Sequence, residues 1–168
     1  MEMNQKTAGN EQNAPASHGG LRHMREVCAM LKRIPTPDAD IFRTLLACFS
    51  GTPYVLGGST PEGCDCSGSV CTALNVLYGT KCDQTADGLY RNCFTGTETG
   101  DGALCAVFFL TPGGKAVHVA GRMSDSYYMN VSRAEPEHQG TMRTWEQLES
   151  MYPQFRMELR SLAAGAWV

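Results

Sequence analysis

The chain has 168 residues, with 14 Lys and Arg against 17 Asp and Glu, and a net charge of −3. That length suits one domain with a short appendage and is enough to bury a core without covalent staples. The basic residues are scattered rather than gathered into a phosphate-tracking stripe, which argues against nucleic acid as a partner. No apolar run approaches a membrane span, which argues against a membrane.

Residues 1–20 are rich in Asn, Gln, Ala, Gly and Ser, and are expected to be a disordered tail. They lack the apolar centre of a signal peptide. The chain is therefore expected to be made in the cytoplasm, and to reach an outside target only within a phage particle or through a dedicated injector. Leu21, Met24, Val27, Cys28 and Leu31 predict an amphipathic helix that Pro35 and Pro37 end, so 21–37 reads as helix and linker. The main domain then runs over 38–168. Its first helix is expected to be capped by Asp38 or Asp40, to turn Ile41, Phe42, Leu45, Leu46 and Phe49 inward, and to close at Gly51.

The next helix is predicted from Asp65 to Tyr78. Val70, Ala73, Leu74 and Leu77 share one face, and Gly79 supplies the stop. A short helix over Thr85–Asn92 and a flexible loop over Gly96–Gly102 follow. Beyond them the pattern becomes extended. Leu104–Leu110 reads as a buried strand, Thr111-Pro112-Gly113-Gly114 as a turn, and Val117–Met123 and Ser126–Val131 as strands parted by Ser124-Asp125. Thr144 caps a helix reaching Met151. Phe155–Leu162 alternates as a half-exposed strand. Helices first and a mostly antiparallel sheet second make an α+β fold, with the helices on one side of the sheet.

Eight cysteines are present. Cys28, Cys48, Cys71 and Cys105 lie in apolar patterns and read as buried free thiols. Cys64-Asp65-Cys66 has the wrong spacing for a thiol redox pair, and Cys82 and Cys93 lack the paired ligands of a zinc site. No metal or cofactor enters the expectation.

The chemistry concentrates at Gly51-Thr52-Pro53-Tyr54-Val55-Leu56-Gly57-Gly58 and Gly63-Cys64-Asp65-Cys66-Ser67-Gly68. Asp65 is a natural N-cap, which puts Cys66 in the first helical turn, where free N–H groups and the helix dipole favour a thiolate. A thiolate nucleophile needs an imidazole, and the imidazole needs an orienting group. His18 lies in the tail, His23 on a polar helix face and His138 in a polar loop. His118 lies in a strand whose β-branched neighbours, Val117 and Val119, are expected on the opposite face. Taken without Cys66, it reads as a satisfied half-buried histidine on a strand.

If the two following strands pair across a turn centred on Ser124, Arg122 faces Ser126 and His118 faces Asn130. A two-residue turn would instead set His118 against Val131, so the inference depends on turn length. Asn130 alone reads equally as a surface strand residue.

Tyr54-Val55-Leu56-Gly57-Gly58, Asp65-Cys66-Ser67-Gly68, His118-Val119 and a polar residue twelve positions on resemble the NlpC family of bacterial cell-wall cysteine peptidases, over roughly residues 38–162. The resemblance implies a papain-like α+β fold, with Cys66 as nucleophile on a helix packed against a sheet, His118 as base, and Asn130 in the third slot. It implies that Tyr54 lies beside the nucleophile and that Asp65 and Ser67 flank the substrate. The aspartate would receive a free amino group of the substrate, although Tyr54 could simply be packed and Asp65 simply a cap. The implied reaction is hydrolysis of a γ-D-glutamyl–diamino acid bond in the peptidoglycan stem peptide. An amidase, an acyl transferase or a non-enzymatic phage tail component are the other readings of the scaffold. Phage tail proteins or an immunity protein are the partners such settings supply. Leu56 stands where the family often has Trp, Ala120-Gly121-Arg122 replaces a more usual Gly followed by apolar residues, and Ala103 precedes the strand that a Gly-Asp turn usually opens. These departures bear on the substrate pocket.

Overall fold

The computed structural model describes residues 19–166; residues 1–18, most of the expected tail and His18 among them, lie outside it. Helix α1 spans Gly19–Leu31 and buries Met24 and Cys28. It starts before the expected Leu21, because the Glu62 carboxylate accepts the Gly20 N–H at 2.7 Å and satisfies a first-turn donor. Helix α2, Asp38–Ala47, is preceded by Pro37 with no side-chain cap. Asp38 and Asp40 do not cap it. They sit inside its first turn, where their charge favours the helix N-terminus.

A two-stranded ribbon follows, β1 at Ser59–Thr60 and β2 at Gly63–Cys64, and leads into helix α3, Cys66–Tyr78. Both ends of α3 are as the sequence predicts. Asp65 caps the start, and Gly79 at φ 70° closes the end. Thr85 caps the short helix α4, Ala86–Asn92.

The main sheet contains β3 (Cys105–Leu110), β4 (Ala116–Arg122), β5 (Tyr128–Val131), β6 (Gly140–Arg143) and β7 (Arg156–Ser161). Their order is β6-β5-β4-β3-β7, and every pair is antiparallel. Strand β3 lies inside the sheet, between β4 and β7, and is buried along its whole length, as its unbroken apolar run demands. Helices α1 to α4 and one sheet face enclose a core around Phe42, Leu46, Leu74, Phe94, Phe108 and Val119. Burying each such side chain contributes about 2 kcal/mol.

The other face is covered too. Helix α5, Trp145–Met151, opens on a full capping box between Thr144 and Gln147. Its Leu148, with Tyr152 just beyond, packs on Val107, Phe109, Ala120 and Tyr128. The helices therefore lie on both sides of the sheet, because the alternate residues of β3 and β4 are apolar on both faces.

Two features of the sheet place the site. The first is a register irregularity. Phe109 pairs with His118 but Leu110 pairs with Ala116, so Val117 is an extra residue in β4. This bulge leaves Val117 41% exposed while Val119 is buried. The second is the β4–β5 register. Arg122 pairs with Tyr128 and Gly121 with Met129, two residues further along than a turn centred on Ser124 requires. The connection is longer because the Met123 and Ser124 amides both bond the Tyr127 carbonyl, and the Ser124 hydroxyl accepts the Ser126 and Tyr127 amides.

Gly68 fixes how α3 meets the ribbon. A Cβ there would lie 2.0 Å from the Gly58 carbonyl oxygen, which itself accepts the Asp65 N–H at 3.1 Å. Gly68→Ala is expected to destabilise the fold by about 3 kcal/mol, the upper range for forced overpacking. Urea unfolding of the two proteins measures it.

Candidate active site

Asp65 adopts an extended backbone before α3, and its carboxylate accepts three donors that shape the site. Oδ1 accepts the Gly68 N–H at 2.7 Å and the Ser67 hydroxyl at 3.0 Å. Oδ2 accepts the Gly57 N–H at 2.8 Å. One side chain thus caps the helix and ties the glycine turn to it. Val55 and Leu56 on that turn are 48% and 74% exposed, an apolar rim where a larger aromatic was the usual pattern.

Cys66 is the first residue of α3, and the backbone amides of Val119, Ser67 and Cys66 itself act on its sulfur to lower its pKa. The influence of Val119 puts the thiol near β4, one residue from His118. Although the residue is partly exposed, protein surrounds the sulfur. Burial, and then the Asp65 charge, push the thiol up to about 11, against the pull of the three donors. The resting group is therefore a thiol rather than the thiolate that its helix position predicts. Cys64, two residues earlier, is wholly buried in the core and is pushed by burial to about 12.

His118 is 8% exposed and packed against the rings of Phe109 and Tyr152, each with its centroid 5.0 Å away and the two in contact with each other. Its Nε2 lies 2.7 Å from Asn130 Oδ1. The expected His118–Asn130 contact is present although the register that predicted it is not. A shift of two residues keeps Asn130 on the same sheet face, and a diagonal neighbour is within side-chain reach. Burial lowers the His118 pKa below its ordinary value, more than Asn130, Glu135 and Asp65 raise it. Among the described residues no hydrogen bond joins the sulfur to the imidazole.

Behind Asn130 lies a network with no counterpart in the sequence reading. Asn130 Nδ2 donates to Glu135 Oε1 at 2.7 Å and to the Tyr152 hydroxyl oxygen at 3.3 Å. Tyr152 donates its own proton to Ser132 Oγ at 2.6 Å. Glu135 is 1% exposed, and Arg143 holds it through Nε at 3.1 Å to both oxygens and through Nη2 at 2.5 Å. A carboxylate only accepts, so the amide nitrogen must face Glu135 and the amide oxygen must face His118. His118 then carries its proton on Nε2, and Nδ1 is the basic nitrogen.

Tyr54 is half-buried. Its phenol is raised first by burial and then by the nearby Cys66 and Asp65, and Arg133 lies over its ring at 5.6 Å. Tyr54, Asp65, Cys66 and Ser67 are thus brought together, and His118 with Asn130 joins them from the sheet. The other described histidines are elsewhere: His23 is exposed, and His138 is in a loop with its Nδ1 2.6 Å from the Arg133 carbonyl. A cleft of about 1170 Å³ passes Asp65 and Ser67 and runs along α3 to segment 79–85. Neither Cys66 nor His118 lines it.

Residues 51–149 match the NlpC/P60 family. The chain belongs to that family. Its members are typically peptidoglycan hydrolases and generally cysteine peptidases. Similar solved structures include NlpC1 from Trichomonas vaginalis, 20% identical with a TM-score of 0.58, covering 80% of this chain and 46% of that one. A family protein from Bacillus cereus is 24% identical, with a TM-score of 0.58 and coverage of 74% and 40%. The NlpC/P60 domain of the peptidoglycan hydrolase SagA is 20% identical, with a TM-score of 0.53 and coverage of 77% and 100%. At these identities the likeness establishes the fold. The chain spans half or less of the length of the two full-length relatives named. No curated protein matches it.

Replacing Glu135 with Gln removes a charge that raises the His118 pKa and leaves Arg143 unmatched. The His118 pKa is expected to fall further below its ordinary value, read by NMR titration of the ring. Stability should fall by about 3 kcal/mol, as for other broken buried pairs.

Proposed function

We propose that this chain is a cysteine endopeptidase that hydrolyses an amide bond of the peptidoglycan stem peptide, of the γ-D-glutamyl–diamino acid type. The observation that carries the reading is the 2.7 Å His118–Asn130 bond beside a sulfur at a helix start. It leaves a basic imidazole nitrogen free next to a nucleophile and its N–H donors. Family membership supplies the substrate class.

In this reading the resting pair is neutral. Substrate draws the ring and sulfur together, since catalytic hydrogen bonds commonly tighten only in the complex. His118 Nδ1 takes the thiol proton as Cys66 Sγ attacks the carbonyl carbon. The N–H groups of Cys66 and Ser67, free of intrahelical partners at the start of α3, stabilise the oxyanion. His118 then protonates the leaving amine, and a thioester remains. Water, deprotonated by the same imidazole, releases the acid and restores the thiol. Asn130 holds the ring throughout. Asp65 keeps one lone-pair direction for a substrate amino group beyond its three donors, and Tyr54 and Ser67 flank the scissile bond.

Purified stem-peptide fragments, with product masses read out, test this. Cys66→Ala is expected to abolish cleavage and Cys64→Ala to leave it near wild type; turnover by the Cys66 variant would refute the mechanism. Products cut at another bond, or acyl-transfer products, would favour the amidase or transferase reading. Asn130→Ala is expected to lower kcat by about 100-fold, the size of effect of a small misplacement of a reacting group.

The pH profile has a definite sign. His118 must be neutral to accept a proton, and burial lowers its pKa from 6.5. The acid limb of kcat/KM is expected below pH 6.5, with no alkaline limb before the range near 11 where the Cys66 thiol ionises. An acid limb above the ordinary imidazole value would contradict this assignment.

A further inference from the structure

Cys71 and Cys82 lie outside the site just described, and their sulfurs are 3.0 Å apart. All eight cysteines are free thiols, so this is a contact rather than a bond. A disulfide has its sulfurs about 2.05 Å apart, so closure requires about 1 Å of movement. The backbone is already set for it. Asn75, one turn along α3 from Cys71, clasps Cys82 from both sides: its Nδ2 donates to the Cys82 carbonyl at 2.9 Å, and its Oδ1 accepts the Cys82 N–H at 2.5 Å. The Thr80 hydroxyl donates to the same oxygen at 2.9 Å. Segment 79–85, irregular in backbone, is thereby fastened at the residue that carries the second sulfur.

The pair also has access and activation. Both cysteines line the 1170 Å³ cleft, and Cys82 is half-buried rather than sealed. Cys71 Sγ accepts the Gln84 N–H at 3.4 Å as well as the Cys82 thiol, and its pKa is lowered by them despite burial. Among the described residues no group of three or more Cys, His, Asp or Glu is arranged to hold a metal ion. Two thiols facing each other across an open cleft favour a different chemistry.

We propose that Cys71 and Cys82 are a disulfide-forming pair, closed by a low-molecular-weight disulfide and reopened by a low-molecular-weight thiol. One thiolate of the pair attacks a sulfur of the small disulfide, forming a mixed disulfide and expelling one small thiolate, which takes up a proton. The second protein thiol gives up its proton, attacks the protein sulfur of the mixed disulfide and expels the second small thiol. Two protein thiols are oxidised, one small disulfide is reduced to two thiols, and no atom is gained by the protein. The new bond staples segment 79–85 to α3 and fixes the cleft wall that continues to Asp65 and Ser67. Nothing in this depends on the hydrolase reading.

The test uses the full chain, oxidised glutathione at neutral pH, acid quenching, alkylation with iodoacetamide and trypsin. Lys81 falls between the two cysteines, so cleavage yields peptides 44–81 and 82–91, the latter carrying Cys82 alone. Most of 82–91 is expected to be joined to 44–81, lighter by two hydrogens than the two reduced peptides together. Dithiothreitol should release it, and fragmentation should place the bond at Cys71. The link should be lost in Cys71→Ser and kept in Cys64→Ser. Recovery of 82–91 as the alkylated peptide or as a stable glutathione adduct would overturn the proposal. So would a link that fragmentation places at Cys48, Cys64 or Cys66.

Discussion

One buried amide decides which nitrogen of His118 is basic. Asn130 could present either end of its side chain to the ring, and a histidine accepts either arrangement by changing tautomer. The choice is made further back, at Glu135, which is sealed from water and held by Arg143. A buried carboxylate must find donors, and Asn130 Nδ2 is one of them. The amide oxygen is thereby turned to His118, the ring proton goes to Nε2, and Nδ1 is left for the sulfur. The electrostatics of a loop five residues beyond β5's Asn130 therefore reach the chemistry through two hydrogen bonds. Tyr152 closes the same arrangement from α5, and this is why the second sheet face is covered at that end.

The other half of the site is a contest between desolvation and local dipoles. Three backbone amides lower the Cys66 pKa, two from the helix start and one, Val119, from β4. They do not win, because the Asp65 that caps the helix brings its own negative charge and because the sulfur is packed against β4. The same carboxylate that builds the platform disfavours a resting thiolate. A neutral thiol and a neutral imidazole are the consistent outcome, since each group loses by carrying charge in that setting. In the proposed mechanism, charge separation belongs to the step in which substrate enters and the nearby N–H groups stabilise an oxyanion.

The helices were legible because their signals are local. Asp65, Gly79 and Thr144 each act within a turn of their own position, and each is a cap where expected. The strand run Cys105–Leu110 was legible for the same reason. What was illegible is what depends on partners distant in sequence. Glu135 lies between Arg133-Ala134 and Pro136-Glu137, a polar stretch that reads as solvent-exposed loop, and only the approach of Asn130 and Arg143 makes it buried. The α1 start needed Glu62, and the bulge at Val117 needed β3 beside it. The hairpin is the instructive case. Its turn length was misjudged by two residues, yet parity kept Asn130 on the correct face, whereas an error of one would have turned it away.

The thiols show that ionisation and catalytic selection are separate matters here. Cys64, Cys66 and Cys71 lie within one short stretch of chain, yet burial pushes the first to about 12 and the second to about 11, while hydrogen bonds pull the third down. If thiolate population chose the nucleophile, Cys71 would be chosen, and it has no imidazole beside it. Cys66 is set apart by position: a helix start that opens toward β4, N–H donors already in place, and a base one residue from its Val119 contact. A thiol that stays protonated at rest is also spared adventitious oxidation, since reactivity follows the thiolate. In the proposed mechanism desolvation keeps the Cys66 thiol neutral at rest and His118 activates it, so the geometry of the imidazole, rather than the acidity of the sulfur, is the quantity on which activity would turn.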